Sequence, residues 1–142
     1  MSKLFSRSNN EVGRTQNILI IDDNEQITKM ISSFLDMSNH ECTVVNDGKE
    51  GLELIKTKQF DSIILDLAMP EFDGYEILES LKREDPSLLK KIVILTASNI
   101  PIETIREFKN LGIASCLQKP VDIDQLLSKI NEIEGWKIDY PC

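Results

Sequence analysis

The chain has 142 residues with 24 acidic against 16 basic side chains, a net charge of −8 and a pI near 4.7, which is the length of one domain with enough core to fold without disulfides. No apolar run approaches the ~18 residues of a membrane span, and residues 1–16 lack the apolar stretch of a secretory signal, so a cytoplasmic location is expected. The acidic balance argues against direct DNA binding, which depends on phosphate neutralisation by Lys and Arg.

Residues 1–16 read as a flexible polar leader. The first apolar run, Ile18 to Ile21, is a strand ending at Asp22-Asp23, and the helix after it puts Ile27, Met30, Ile31, Phe34 and Leu35 on one face. His40, the single histidine, falls among Ser38, Asn39 and Glu41 and is expected in a surface turn, a poor candidate for metal binding or phosphotransfer. A short strand, Cys42 to Val45, leads into Asp47-Gly48-Lys49-Glu50, a helix start with a capping acid.

The third strand, Ser62 to Leu65, ends at Asp66. The loop Leu67 to Phe72 follows, and Asp73-Gly74-Tyr75-Glu76 is a second capping pattern opening a helix with Ile77, Leu78 and Leu81. Asp85-Pro86 marks a break. The fourth strand, Ile92 to Leu95, ends at Thr96, and Ile100-Pro101 opens a helix whose core stripe is Ile102, Ile105 and Phe108. A weaker fifth strand, Ala114 to Leu117, runs into Gln118-Lys119-Pro120. Asp122 caps the last helix, which carries Leu126, Leu127, Ile130 and Ile133 and is expected to stop at Gly135.

Five strand–helix units in succession predict an α/β domain, a five-stranded parallel sheet flanked by five helices in a doubly wound arrangement. Strands one, three and four are continuous apolar runs and belong in the centre; two and five are shorter and more polar and suit the edges. The order 2-1-3-4-5 meets both conditions. The domain is expected to span residues 17–134, with 135–142 a short tail in which Trp136 and Tyr140 pack back onto it, a partner or homodimer contact being the alternative. Cys42, Cys116 and Cys142 are odd in number and at no metal-ligand spacing, which fits reduced thiols.

Open parallel sheets bind ligands beyond the carboxyl ends of their strands, where the winding reverses. In this order that point lies between strands one and three, so Asp22, Asp23 and Asp66 converge. Their repulsion would raise at least one carboxyl pKa unless a cation neutralises it, and Mg²⁺ is the natural partner for one or two carboxylates plus waters. Thr96 and Lys119 end strands four and five and face the same crevice. A carboxylate can be a nucleophile toward a phosphoryl group, with the cation and the Lys ammonium holding its oxygens and the Thr hydroxyl donating a hydrogen bond.

Asp22-Asp23, Asp66 with Met69-Pro70 and Asp73-Gly74 after it, Leu95-Thr96-Ala97 and Lys119-Pro120 together resemble the response-regulator receiver family over residues 17–134. The resemblance implies the flavodoxin-like fold and phosphorylation by a histidine kinase or phosphotransfer protein. It implies Asp66 as acceptor, and Mg²⁺ held by Asp23, Asp66 and the Ala68 carbonyl, with Asp22 acting through a bound water. It also implies a cis Lys119–Pro120 bond, and an output face on helix four, strand five and helix five toward a downstream protein it does not name. Ala68 and Ser98 occupy the two positions that tune phosphoryl lifetime in the family.

Two departures stand out. Cys116 replaces the aromatic or His that reorients on phosphorylation in most receivers, and nothing after Ile133 has the length of an effector domain, so a stand-alone receiver is the expectation. A haloacid-dehalogenase-type phosphatase would need an acid two positions after its nucleophile, where this chain has Ala68. A phosphorylation-independent interaction module with a vestigial site is the remaining alternative, and Cys116 favours it.

Overall fold

The computed structural model describes residues 15–96 and 100–139, with side chains to residue 133. Strand β1 (Asn17–Ile21) is followed by α1 (Glu25–Met37), β2 (Glu41–Val45), α2 (Gly48–Thr57), β3 (Ser62–Asp66) and α3 (Gly74–Glu84). A 3₁₀ helix (Pro86–Lys91), β4 (Ile92–Thr96), α4 (Ile102–Leu111), β5 (Ser115–Gln118) and α5 (Ile123–Asp139) complete the order. All strand pairs are parallel, and the sheet runs β2-β1-β3-β4-β5, as the apolar runs predict.

The strand pleat divides the core in two. Leu19, Ile21, Ile63, Leu65, Ile92 and Ile94 face Ile55 of α2, Ile77 and Leu81 of α3 and Phe108 of α4. The alternate residues Ile18, Ile20, Ile64, Val93 and Leu95 face Ile31 and Leu35 of α1 and Leu126, Ile130 and Ile133 of α5. Helices α1 and α5 thus cover one face and α2 to α4 the other. Every residue of β3 and β4 is buried, whereas β2 and β5 are only partly so. Single-face alternation is absent from β3 and β4 because both faces are covered.

Local chemistry sets the helix starts. The Asn24 side chain caps α1, accepting from the amides of Gln26 and Ile27. Asp47 caps α2 through Glu50 N–H at 3.0 Å. Asp73 and Glu76 close a reciprocal capping box on α3, with Asp73 N–H donating to Glu76 Oε1 at 2.9 Å and Glu76 N–H to Asp73 Oδ1 at 3.1 Å. Asp122 takes Gln125 N–H at 3.1 Å at the start of α5.

Four expectations are corrected. Met30 is 44% exposed, and Thr28 takes the buried place on α1, its hydroxyl satisfied by the Glu25 carbonyl at 3.1 Å. On α4 only Phe108 is buried, with Ile102 60% and Ile105 39% exposed. His40 is buried, because it leads directly into β2 and its Nδ1 accepts Gln16 N–H at 3.1 Å. Helix α5 continues through Gly135 to Asp139; an interior glycine costs a helix about 1 kcal/mol and does not by itself end it. The segment Pro86–Lys91, foreseen only as a break, forms the 3₁₀ helix with Leu89 buried. The leader to residue 14, Ala97, Ser98, the Trp136 side chain, Tyr140 and Cys142 lie outside the described residues.

Candidate functional site

The parallel register brings the functional side chains to one end of the sheet. Asp22 and Asp23 follow β1, and Asp66 closes β3, paired with Leu95, one residue short of Thr96 at the end of β4. Thr96 pairs with Gln118 of β5, so Lys119 comes next, and its N–H donates to the Thr96 carbonyl at 2.7 Å. The Lys119–Pro120 bond is cis. All five side chains named from the sequence therefore gather at the winding reversal.

Asp22 is fully buried, Asp66 is 1% exposed and Thr96 9%, while Asp23 is exposed. Lys119 Nζ lies 3.0 Å from Asp22 Oδ2 and 3.5 Å from Asp66 Oδ1. Asp22 Oδ1 accepts Asn24 N–H at 2.9 Å, and Asp66 Oδ1 accepts Ala68 N–H at 3.3 Å. Burial pushes the Asp66 carboxyl up to about 6, and the Asp22 charge adds to the rise; Lys119 and the Ala68 amide oppose it. Desolvation, more than the repulsion foreseen from sequence, is the larger cause. For Lys119, burial works against the charged form, but the contact with Asp22 and the charges of Asp66 and Asp22 outweigh it and raise the ammonium pKa.

The donor set fits a hard divalent cation. One oxygen from each of Asp22, Asp23 and Asp66 lies within 4.8 Å of the others. Asp22 Oδ2 is buried beside the Lys119 ammonium at 3.0 Å. An all-oxygen cluster with an exposed member toward solvent suits Mg²⁺, which keeps several waters.

Two further residues support this end of the sheet: Asn46, which sequence reasoning did not single out, and Gly74, which it named only within the capping pattern and the family motif. Asn46, directly after β2, donates from Nδ2 to the Asp22 carbonyl at 2.7 Å and to Thr28 Oγ1 at 3.3 Å. The strand-end rule that picks out Asp22, Asp66, Thr96 and Lys119 also covers Asn46, and that signal was available. Gly74 opens α3 so close to the end of β3 that a Cβ would lie 2.5 Å from the Asp66 carbonyl oxygen and 2.8 Å from Leu67 Cα. Its N–H donates to the Leu67 carbonyl at 3.1 Å. Between them Glu71 takes a left-handed conformation at φ 67°, which is unfavourable for a residue with a Cβ. A cavity of about 550 Å³ bordered by Lys91, Ala114 and Lys129 sits at the opposite, amino end of the strands and is no part of this site.

A doubly wound parallel sheet with an acidic cluster, a hydroxyl and a lysine at the carboxyl ends of its strands defines a receiver-type signalling fold. The chain belongs to the response-regulator receiver family: the family's receiver-domain model matches residues 18–131. It is 30% identical over 117 residues to the probable transcriptional regulator ycf29 of Porphyra purpurea, covering 82% of this chain and 56% of that one. The chain spans about half the length of the curated relatives it matches. Among solved structures, the receiver domain of the Francisella response regulator 1452 superposes with a TM-score of 0.77 at 30% identity, over 87% of this chain and 99% of that one. The Vibrio cholerae chemotaxis protein CheY4 gives 0.73 at 28% identity, over 84% and 99%. The protein is a receiver domain of two-component signalling, with no helix among the described residues long and apolar enough to cross a membrane.

Proposed function

We propose that Asp66 accepts a phosphoryl group from a histidine kinase or phosphotransfer protein, in a Mg²⁺-dependent reaction, and that the phosphorylated domain signals through altered protein contacts. The observation that carries this reading is the convergence of Lys119 on Asp22 and Asp66, at 3.0 and 3.5 Å, beside an oxygen cluster of cation-binding size. A carboxylate oxygen of Asp66 attacks the phosphorus of a phosphohistidine; the new O–P bond replaces the P–N bond, and the imidazole leaves. Lys119 neutralises charge on the phosphoryl oxygens, and the Thr96 hydroxyl donates to one of them. Asp22, Asp23, Asp66 and the Ala68 carbonyl are the groups that would hold Mg²⁺, which when bound offsets the charge of the carboxylates and the transferring group. Water reverses the modification, so the only reaction assigned to the domain is its own phosphorylation and dephosphorylation.

The output route assigned is protein contact through the surface of α4, β5 and α5, supported by the exposed Ile102 and Ile105 and by the near-complete coverage of a chemotaxis response regulator. This is the stand-alone mode. The net charge of −8 argues against DNA contact by this chain itself. The related transcriptional regulator, matched over about half its length, supports output to DNA through a further domain as the other route. Cys116, half-buried on β5 against the core beneath α4, supports a switch without a reorienting ring, or a module that works unphosphorylated.

Intact mass after incubation with acetyl phosphate and Mg²⁺, for wild type and Asp66→Ala, tests the reading. One phosphoryl increment on wild type only, abolished by chelation, is expected. No increment on a folded wild type moves the assignment to the phosphorylation-independent module.

A further inference from the structure

At the end of the sheet opposite the carboxylates, Gln16 is a buried junction with all four of its polar groups engaged. Its Nε2 donates to the Ile130 carbonyl of α5 at 3.0 Å, and its Oε1 accepts from the Ser62 hydroxyl that opens β3. Its carbonyl accepts Glu41 N–H at 2.9 Å, and its own N–H donates to His40 Nδ1 at 3.1 Å. Gln16, His40 and Ser62 are 2%, 6% and 0% exposed, so solvent does not substitute for a lost partner. His40 itself is anchored by its N–H to the Leu35 carbonyl of α1 at 3.0 Å.

We propose that His40 and Gln16 form an acid-sensitive latch, in which the neutral ring ties the α1–β2 turn to the start of β1 and, through Gln16, to β3 and α5. An imidazole nitrogen accepts a hydrogen bond only while unprotonated, so the Gln16 contact requires a proton-free Nδ1 and the Nε2–H tautomer. Protonation sets two N–H donors against each other and leaves a buried backbone amide unpaired. Histidine is the side chain that ordinarily changes charge near neutral pH.

Among the described residues, the surrounding elements carry charged side chains that include Lys29 and Asp36 on α1, Glu41 on β2, Asp61 before β3, and the Lys129–Glu132 pair of α5, 3.8 Å apart. Asp61 Oδ2 already takes Asn17 N–H at 2.8 Å. The acids favour a charged ring and the lysines oppose it, but none supplies an acceptor for Gln16 N–H. Acidification therefore loosens this junction, at the end of the strands opposite the carboxylates.

The test reads the junction locally, because Asp66 titrates in an overlapping range. NMR on the full chain, with His40 as the single ring signal, should show the Nε2–H tautomer at pH 7.5. The protection factor of the Gln16 amide, corrected for intrinsic exchange, should fall about tenfold or more between pH 7.5 and 5.5. In His40→Asn, whose oxygen accepts without titrating, it should change by less than about threefold. An Nδ1–H tautomer, or equal losses in both proteins, would overturn the latch. If His40→Asn does not fold, unchanged Gln16 protection in wild type overturns it alone.

Discussion

Lys119 Nζ sits closer to Asp22, at 3.0 Å, than to the proposed acceptor Asp66, at 3.5 Å. Asp22 is fully buried, so the lysine is its counter-charge as well as a candidate ligand for the phosphoryl group. Lys119→Met should therefore lose stability along with phosphorylation. Removing one partner of a buried pair costs about 3–5 kcal/mol; Asp23 opens the cluster to water, which argues for about 2–3 kcal/mol here. Urea unfolding at pH 7.5 in chelator measures it, and a loss below about 1 kcal/mol would show that Asp22 does not depend on the lysine.

The raised Asp66 pKa makes a prediction with a definite sign. Its folded value is about 6, against about 3.9 in an unfolded chain. The associated stability is fully present below pH ~4 and is lost as pH rises through 6, above which the folded state carries a buried carboxylate. The gap corresponds to at most about 3 kcal/mol. Asp66→Asn, which cannot ionise, should be more stable than wild type at pH 7.5 without metal, and the advantage should vanish near pH 4. An advantage of equal size at both pH values would remove ionisation as its cause.

Much of this was legible because the chemistry falls at strand ends. Once the order 2-1-3-4-5 is set by which runs are most apolar, Asp22, Asp23, Asp66, Thr96 and Lys119 are forced to the carboxyl end of the strands, and the structure puts them there. The inferences that failed concerned exposure and one helix end. Spacing gives a helix its apolar stripe but not the width of its contact, so Met30, Ile102 and Ile105 read as core although their helices meet the sheet through Ile31, Leu35 and Phe108. His40 read as a turn residue because its partner, Gln16, is distant in sequence and lies outside any strand pattern. Gly135 read as a stop because the glycine penalty alone does not decide whether the residues beyond it stay helical.

Gly74 ties the fold to the backbone of Asp66. A methyl group there would lie 2.5 Å from the Asp66 carbonyl oxygen, and both contacts are backbone, so α3 or the acceptor loop must move. Gly74→Ala should cost about 1–3 kcal/mol, as overpacking does, and should slow phosphorylation by acetyl phosphate although no catalytic side chain is changed. A stable variant phosphorylated at the wild-type rate would show that the loop yields without moving Asp66.

Asn46 gives the sharpest separation of scaffold from ligand. It holds the Asp22 carbonyl at 2.7 Å and bridges to Thr28, yet it belongs to neither the acidic cluster nor β3. Asn46→Ala leaves all three carboxylates in place but frees the backbone that aims Asp22. Losing such a hydrogen bond costs about 1–2 kcal/mol, and loss of an outer support typically weakens metal binding about tenfold or more. The expected result is weaker Mg²⁺ affinity, read by the Mg²⁺-dependent rise in unfolding midpoint, with the phosphoryl increment still reached at high Mg²⁺. If affinity is unchanged while stability falls, Asn46 supports the fold alone. If saturating Mg²⁺ does not restore phosphorylation, its role extends beyond aiming Asp22.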